Sequence, residues 1–425
     1  MKKATSIAIA AALMLSCAAM PTAMASRHVN DNSNTTQNLT DKRYAGTNNT
    51  PGKWDSQALN KRIAAVMSEY KDENKCPSPY GTHMSNTTMR LWKVESRDTG
   101  GTLLFSDSPE YVDRDGILYQ DTVSGDARIL YYHLDNTSEA KKVAVVLESE
   151  TPNNVIRITR GGASTPSSDY LEVGKTTQMQ YFAQQINDRI YIGEGERALL
   201  RQDMNTTILQ PGQLVYGVYD FHSAGPVKVT VLMCPADADP CTFVDEAEVL
   251  PKDQYRLRGT FKGMDRIITA PKAYDPTRDG IVYFPLADDK HDVYRVGIDA
   301  TDGSQVKNVG NYGVLYKLEI PIAGKKLTQF YLSPLGGVYA GAMGVREGVL
   351  QNMLPTPMGR TYFGDQTPPE PENVAKAREE GIAFLTKCTE LADLGSYNAS
   401  NQTSFEYSPP GASNLPVNII MMPAK

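Results

Sequence analysis

The sequence predicts a mainly β protein, built as two antiparallel β-sandwich-like domains with a few peripheral helices. Two observations lead there. From about Thr102, short runs rich in β-branched and aromatic residues recur roughly every ten positions, separated by Gly, Pro, Asn and Asp turns. No helical periods fall between them, which disfavours a doubly wound sheet. The length, 425 residues, exceeds what one sandwich needs, so the β-rich part divides into 101–250 and 251–425.

The first residues, MKKATSIAIAAALMLSCAAMPTAMA, have the order of a secretory signal peptide. Lys2 and Lys3 precede an uncharged run, and Ala23-Met24-Ala25 offers small residues at the cleavage positions. The apolar run is too short for a stable span, and no later stretch approaches the roughly 20 apolar residues a membrane helix needs. Export is therefore expected, to the periplasm, cell surface or medium. Cleavage after Ala25 removes two lysines and no acid, taking the formal charge from −6 to −8. A mildly acidic surface repels phosphate backbones, which argues against nucleic acid as a partner.

Residues 26–52, dense in Asn, Thr and Ser, read as a flexible leader. The segment 53–100 reads as helical: Leu59, Ile63, Val66, Met67 and Tyr70 have helical spacing behind Asp55. The strands expected next are GILYQDTV, ARILYYHL, KKVAVVLESE, NVIRITR, QMQYFA, RIYIGE, LVYGVYDF and PVKVTVLM. After residue 250 come YRLRGTF, GIVYFPLA, YRVGIDA, YGVLYKLEI, TQFYLSPL and VYAGAMGV. A second helix is expected over about 372–394, opened by Pro and acids and closed by Gly395. The end, TSFEYSPPGASNLPVNIIMMP, reads as two strands around a Pro/Gly loop.

CPADADPC, residues 234–241, poses a choice between disulfide, metal site and redox couple. Zinc needs closely spaced Cys or His pairs, and redox chemistry needs C-x-x-C; neither is present. In an exported protein the expectation is a Cys234–Cys241 disulfide clamping a strand connection. Cys76 and Cys388 remain open between a second bridge and buried thiols.

Chemistry is harder to find. The five histidines are scattered, without H-x-H or H-E-x-x-H, so no metal and no cofactor is expected. There is no G-x-S-x-G, P-loop or G-x-G-x-x-G. A glycosidase needs two acids close in space only, and the candidates are Asp107 and Glu110 in LLFSDSPEYV, with Asp288 and Asp292 in LADDKHDVY. Tyr outnumbers Phe 23 to 10, and several tyrosines sit beside glycine. Tyrosine offers a flat apolar face with a polar tip, suited to stacking on sugars or lining an interface. The alternative is that such residues simply cap a sandwich core.

Several longer stretches carry a resemblance: GTLLFSDSPEYV, DGILYQDTVSGDARILYYHLD, YLEVGKTTQMQYF, QPGQLVYGVYDF, RLRGTFKGMDR, GIDATDGSQVKNVGNYGVLYKLEIP, LSPLGGVYAGAMGV and EYSPPGASNLPVNI. Together they resemble the long C-terminal region of exported Firmicutes proteins that carry a copper amine oxidase N-terminal-like, or stalk, domain. The resemblance spans about Gly101 to Pro423. The stalk domain's own pattern is absent from 26–100. Oxidase chemistry is rejected on residues, because Asn311-Tyr312 is followed by Gly313 rather than an acid and H-x-H is missing. The resemblance implies an exported envelope protein with no activity to carry over.

The functional expectation is a non-catalytic envelope protein binding a polysaccharide or surface protein. Its surface would use Asn311, Tyr312, Tyr316, Gly337, Tyr339, Ser408, Pro410 and Asn414. The alternative is a carbohydrate-active hydrolase whose carboxylate pair is drawn from Asp107, Glu110, Asp288 and Asp292.

Overall fold

A computed structural model describes residues 88–183, 185–335, 337–364, 382–384 and 391–424. The expected signal segment, the expected leader, the helix expected over 55–71, Cys76 and Cys388 lie outside the described residues. The fold is mainly β, with three multi-stranded sheets.

The largest sheet has 11 strands. Eight of them are successive neighbours: Gln305–Asn308, Arg295–Ile298, Arg258–Lys262, Thr102–Ser106, Gly116–Asp135, Leu214–Pro235, Lys141–Ser149 and Arg197–Leu199. Its spine is two long antiparallel strands, where the sequence suggested four short ones. GILYQDTV and ARILYYHL form one 20-residue strand, and LVYGVYDF and PVKVTVLM one of 22. The segments expected to turn them, SGD and HSAGP, are instead absorbed within the ladder. Gly125 takes φ 75°, and the register shifts between Ser223 and Val227. Gly and Pro at these positions bend the strands without ending them.

A second sheet orders Ile382–Phe384, Thr88–Leu91, Val282–Leu286, Val417–Pro423, Thr328–Pro334 and Ala392–Tyr397. The third orders Leu350–Thr356, Gly341–Glu347, Thr403–Tyr407, Leu315–Glu319, Asp265–Thr269 and Glu95–Thr99. Two expectations change here. The segment 53–100, read as helical, ends in the strands Thr88–Leu91 and Glu95–Thr99. Within 372–394, the described residues 382–384 are strand, and Ala392 begins another. Pairing of residues 88–90 with 382–384 supplies a partner that local helical periodicity does not register.

Conversely, YLEVGKTTQMQYFA, expected as part strand, is the helix Tyr170–Ala183. It buries Val173, Met179, Tyr181 and Phe182 against the sheets, so tertiary packing sets its conformation.

Residue 250 falls inside shared structure. Arg258–Lys262 pairs antiparallel with Thr102–Ser106, and one buried cluster runs from Leu103 and Phe105 through Tyr312 and Phe330 to Met421. One buried cluster is thus shared across position 250, while a second lies wholly within residues 104–250. Thr102–Ser106 shows how: Leu103 and Phe105 enter the shared cluster while Leu104, on the opposite face, enters the second with Ile129, Val145 and Val231. No helix among the described residues is long and apolar enough to cross a membrane.

Candidate functional site

The structure separates the four candidate acids into two differently used pairs. Asp288 caps a turn, accepting from the backbone N–H groups of Lys290, His291 and Asp292. Asp292 is buried, pairs with Arg266, and accepts from Ala287 N and the Tyr316 hydroxyl, each at 2.6 Å. Every strong donor near Asp292 already belongs to the scaffold, which leaves it no room for chemistry.

Asp107 and Glu110 are different. They lie on the connection between strand Thr102–Ser106 and Tyr111, 3% and 8% exposed. The connection is pinned from three sides. Asp253 Oδ1 accepts from Ser108 Oγ at 2.9 Å, Tyr255 N at 2.9 Å and Arg256 N at 3.0 Å, while its Oδ2 accepts from Glu110 N at 3.0 Å. His133 bridges Ser106 Oγ, 2.8 Å from Nε2, and the Pro109 carbonyl, 2.9 Å from Nδ1. Since a carbonyl only accepts, Nδ1 carries the proton and Nε2 accepts from Ser106. Arg258 donates to the Ser108 carbonyl at 3.2 Å.

The Asp107 and Glu110 side chains are thus held close to the Asp253 carboxylate in a poorly solvated place. Burial, then the charges of Glu110 and Asp253, raise the Asp107 carboxyl well above its usual range. Burial, then Asp253, push Glu110 up to about 7. Burial in turn pushes His133 down to about 4, so it stays neutral. Asp107 Oδ1 is buried with no hydrogen-bond partner. The surroundings are tyrosine-rich: the electrostatic influence of one or both acids reaches Tyr111, Tyr132, Tyr170, Tyr216 and Tyr312. Tyr111 and Tyr170 are half-buried and border the solvent.

The residues expected to bind do converge, but as packing. Tyr312, Tyr316 and Tyr339 are buried, as are Asn311, Ser408 and Pro410. Asn311, at φ 52°, accepts from Arg295 N at 2.8 Å and donates to the Tyr316 hydroxyl at 2.8 Å. Tyr312 stacks on Phe105 and donates to the Ser413 carbonyl at 2.7 Å. Tyr339 meets Phe363 edge-on. Asn414 N donates to Val338 O at 2.8 Å, and a Cβ on Gly337 would meet Asn414 Nδ2 at 2.6 Å. The backbone paths set by the Gly/Tyr and Pro-Pro-Gly loops serve interlocking of the chain, so the exposed binding surface expected there is not formed.

Cys234 and Cys241 are free thiols rather than the expected disulfide. Cys234 is a buried residue of the long strand Leu214–Pro235, packed among apolar neighbours. Cys241 sits in the short helix Pro240–Phe243, capped by Asp239. The Asp239 cap and Pro240 at its start close the loop in place of a bridge. Among the described residues, no group of three or more His, Cys, Asp or Glu is arranged to hold a metal ion.

Asp253, His133, Ser108, Tyr111 and Tyr170 escaped the sequence reading. They reach Asp107 and Glu110 across separations from one residue to about 145 in the chain, and no local spacing signals them.

No family model matches the chain, and no curated protein matches it. Among solved structures, it is similar to a Paenibacillus xanthan lyase at 9% identity and TM-score 0.16, covering 81% of this chain and 27% of the lyase. It thus spans about a quarter of the lyase's length. An 11S globulin from Wrightia tinctoria gives 7% identity and TM-score 0.14, covering 79% of this chain and 84% of the globulin. Phosphomannose isomerase from Salmonella typhimurium gives 9% identity and TM-score 0.10, covering 66% and 67%. At these TM-scores the likenesses carry no argument about what the chain does.

Proposed function

We propose that this chain is an exported, non-catalytic cell-envelope protein that binds a polysaccharide or a surface partner at the Asp107–Glu110 site, between Tyr111 and Tyr170. The observation that carries this reading is the juxtaposition of two acids with two half-buried tyrosines at the surface. Tyrosine faces stack on sugar rings, and acid groups exchange hydrogen bonds with sugar hydroxyls. Export rests on the N-terminal sequence alone.

A hydrolase reading has one observation in its favour: Glu110, held near neutrality, stands beside the Asp253 carboxylate, two acids in unlike environments. The partners of Asp253 argue against it. A nucleophile or base needs free lone pairs, and Asp253 already accepts four hydrogen bonds from its own loop and the Asp107–Glu110 connection. Binding without turnover is the better fit.

Co-sedimentation of the chain with isolated bacterial cell walls, with sugar release assayed in the supernatant, tests both. Binding without release, lost on combined Tyr111→Ala and Tyr170→Ala substitution, is the expected result. Release abolished by Glu110→Gln would establish the hydrolase instead. Absence of wall binding overturns the reading.

A further inference from the structure

Three carboxyl groups approach one another here, and the groups facing them supply little positive charge. Tyr111 lies on the same connection, and Tyr132 and His133 come from strand Gly116–Asp135. Tyr170 heads the helix, Tyr216 comes from Leu214–Pro235, and Tyr312 follows Asn311. The cation behind the loop, Arg258, is engaged by Asp299 and by the carbonyls of Ser108, Leu118 and Leu250. Asp253 is held by its four donors, so proton uptake to relieve the repulsion falls on Asp107 and Glu110. A second observation points to a ligand: Asp107 Oδ1 is buried without any partner, a state natural proteins rarely leave uncompensated.

We propose that Asp107 and Glu110 form a proton-holding pair whose O–H group is donated to the ligand, so that capture of a hydroxyl-bearing ligand such as a glycan is linked to retention of that proton. This rests on the binding reading above and adds its regulation. The ligand meets an acid that can donate as well as accept, rather than two carboxylates that only accept. Once Glu110 loses its proton, its donor disappears and its charge stands beside that of Asp253 in a poorly solvated site. Affinity then falls about tenfold for each pH unit above the titration point. The site selects neutral hydroxyl-rich material and disfavours anionic polymers.

Two measurements on the full chain separate this from the binding reading. Carbon NMR of labelled Asp and Glu carboxyl groups reports the pair without any ligand. Glu110 is expected to titrate near neutrality, and Asp253→Asn to move it toward the ordinary range. Titration of Glu110 near pH 4 overturns the proposal whatever the walls do. Co-sedimentation with isolated cell walls between pH 6 and 9 reports the ligand. Wild-type binding is expected to weaken tenfold per unit above about pH 7, and Glu110→Gln, which keeps a donor at every pH, to remove that dependence. Wild-type binding that is equal at pH 6 and 9 overturns the linkage. Absence of wall binding at every pH, with Glu110 titrating near neutrality, refutes the envelope-binding reading and the ligand half of the proposal, leaving the proton pair standing.

Discussion

At the scale of single residues, Glu110 and His133 place opposite pH dependences on folding. Glu110 in the folded chain holds its proton to about pH 7, against 4.5 when unperturbed. Between those values the unfolded chain releases a proton that the folded chain keeps, so stability falls as pH rises, by up to about 3 kcal/mol above pH 7. His133 is depressed from 6.5 to about 4, so over that interval the unfolded chain binds the extra proton and stability is lost as pH falls. The two slopes oppose each other between about pH 4.5 and 6.5. Glu110→Gln should therefore be more stable than wild type at pH 8 by about 1–3 kcal/mol, the advantage shrinking toward pH 4.5. In the mutant, the His133 slope should emerge. Urea unfolding across that pH range checks both, and an unchanged pH profile would contradict the burial of Glu110. The tyrosines tell a related story. Tyr312→Phe should cost about 1 kcal/mol by orphaning the Ser413 carbonyl, an effect on folding rather than on binding.

Among elements, the helix Tyr170–Ala183 decides how the site is framed. Gly174 approaches the Pro-Pro-Gly loop so closely that a Cβ would stand 2.1 Å from the Gly411 carbonyl oxygen. Gly411 in turn sits where a Cβ would be 2.7 Å from the Tyr132 ring. Two glycines thus let helix, loop and strand close over the tyrosines beside Glu110. Gly174→Ala should destabilise by about 1–3 kcal/mol through overpacking, because the obstacle is backbone and cannot rotate away. Thermal unfolding measures it, and a neutral result would show that the helix can slide. One residue on, Lys175 Nζ is buried against the carbonyls of Pro357, Arg360 and Thr361 at 2.5, 2.5 and 3.3 Å, tying the same helix to the segment after Leu350–Thr356. The connection around Cys234 and Cys241 makes a separate prediction. Alkylation of the unfolded chain without reductant should label both cysteines, whereas failure of both would restore the disulfide expected from their spacing.

Across the whole molecule, Arg128 ties the large sheet to the third. It is 1% exposed, pairs with both oxygens of Asp220 at 2.6 and 2.8 Å, reaches Asp265 at 3.1 Å, and donates to the carbonyls of Met264 and Gly313. Arg128 and Asp220 belong to the large sheet and Asp265 to the third, while Tyr181 of the helix donates to Asp220 at 2.9 Å. Breaking one member leaves a buried charge uncompensated, so Asp220→Asn should cost about 3–5 kcal/mol. Because the core crosses position 250, wild type should unfold in one calorimetric transition with no separate melting of the halves. Two well-resolved transitions would favour the two-domain division expected from length.

The sequence by itself determined what local pattern encodes. Runs rich in β-branched residues such as KKVAVVLES and VNIIMMP named their own strands, and the paired acids of LLFSDSPEYV marked where chemistry was worth seeking. Only the tertiary structure decided the rest, for a common physical reason: burial and partnership are set by residues far away in the chain. QMQYFA became helix because two sheets receive its apolar side chains. Tyr312 and Tyr339 became core because Phe105 and Phe363 arrive to cover them. Asp107 and Glu110 diverged from Asp288 and Asp292 because Asp253 approaches the first pair with negative charge, while Arg266 reaches Asp292 with positive charge.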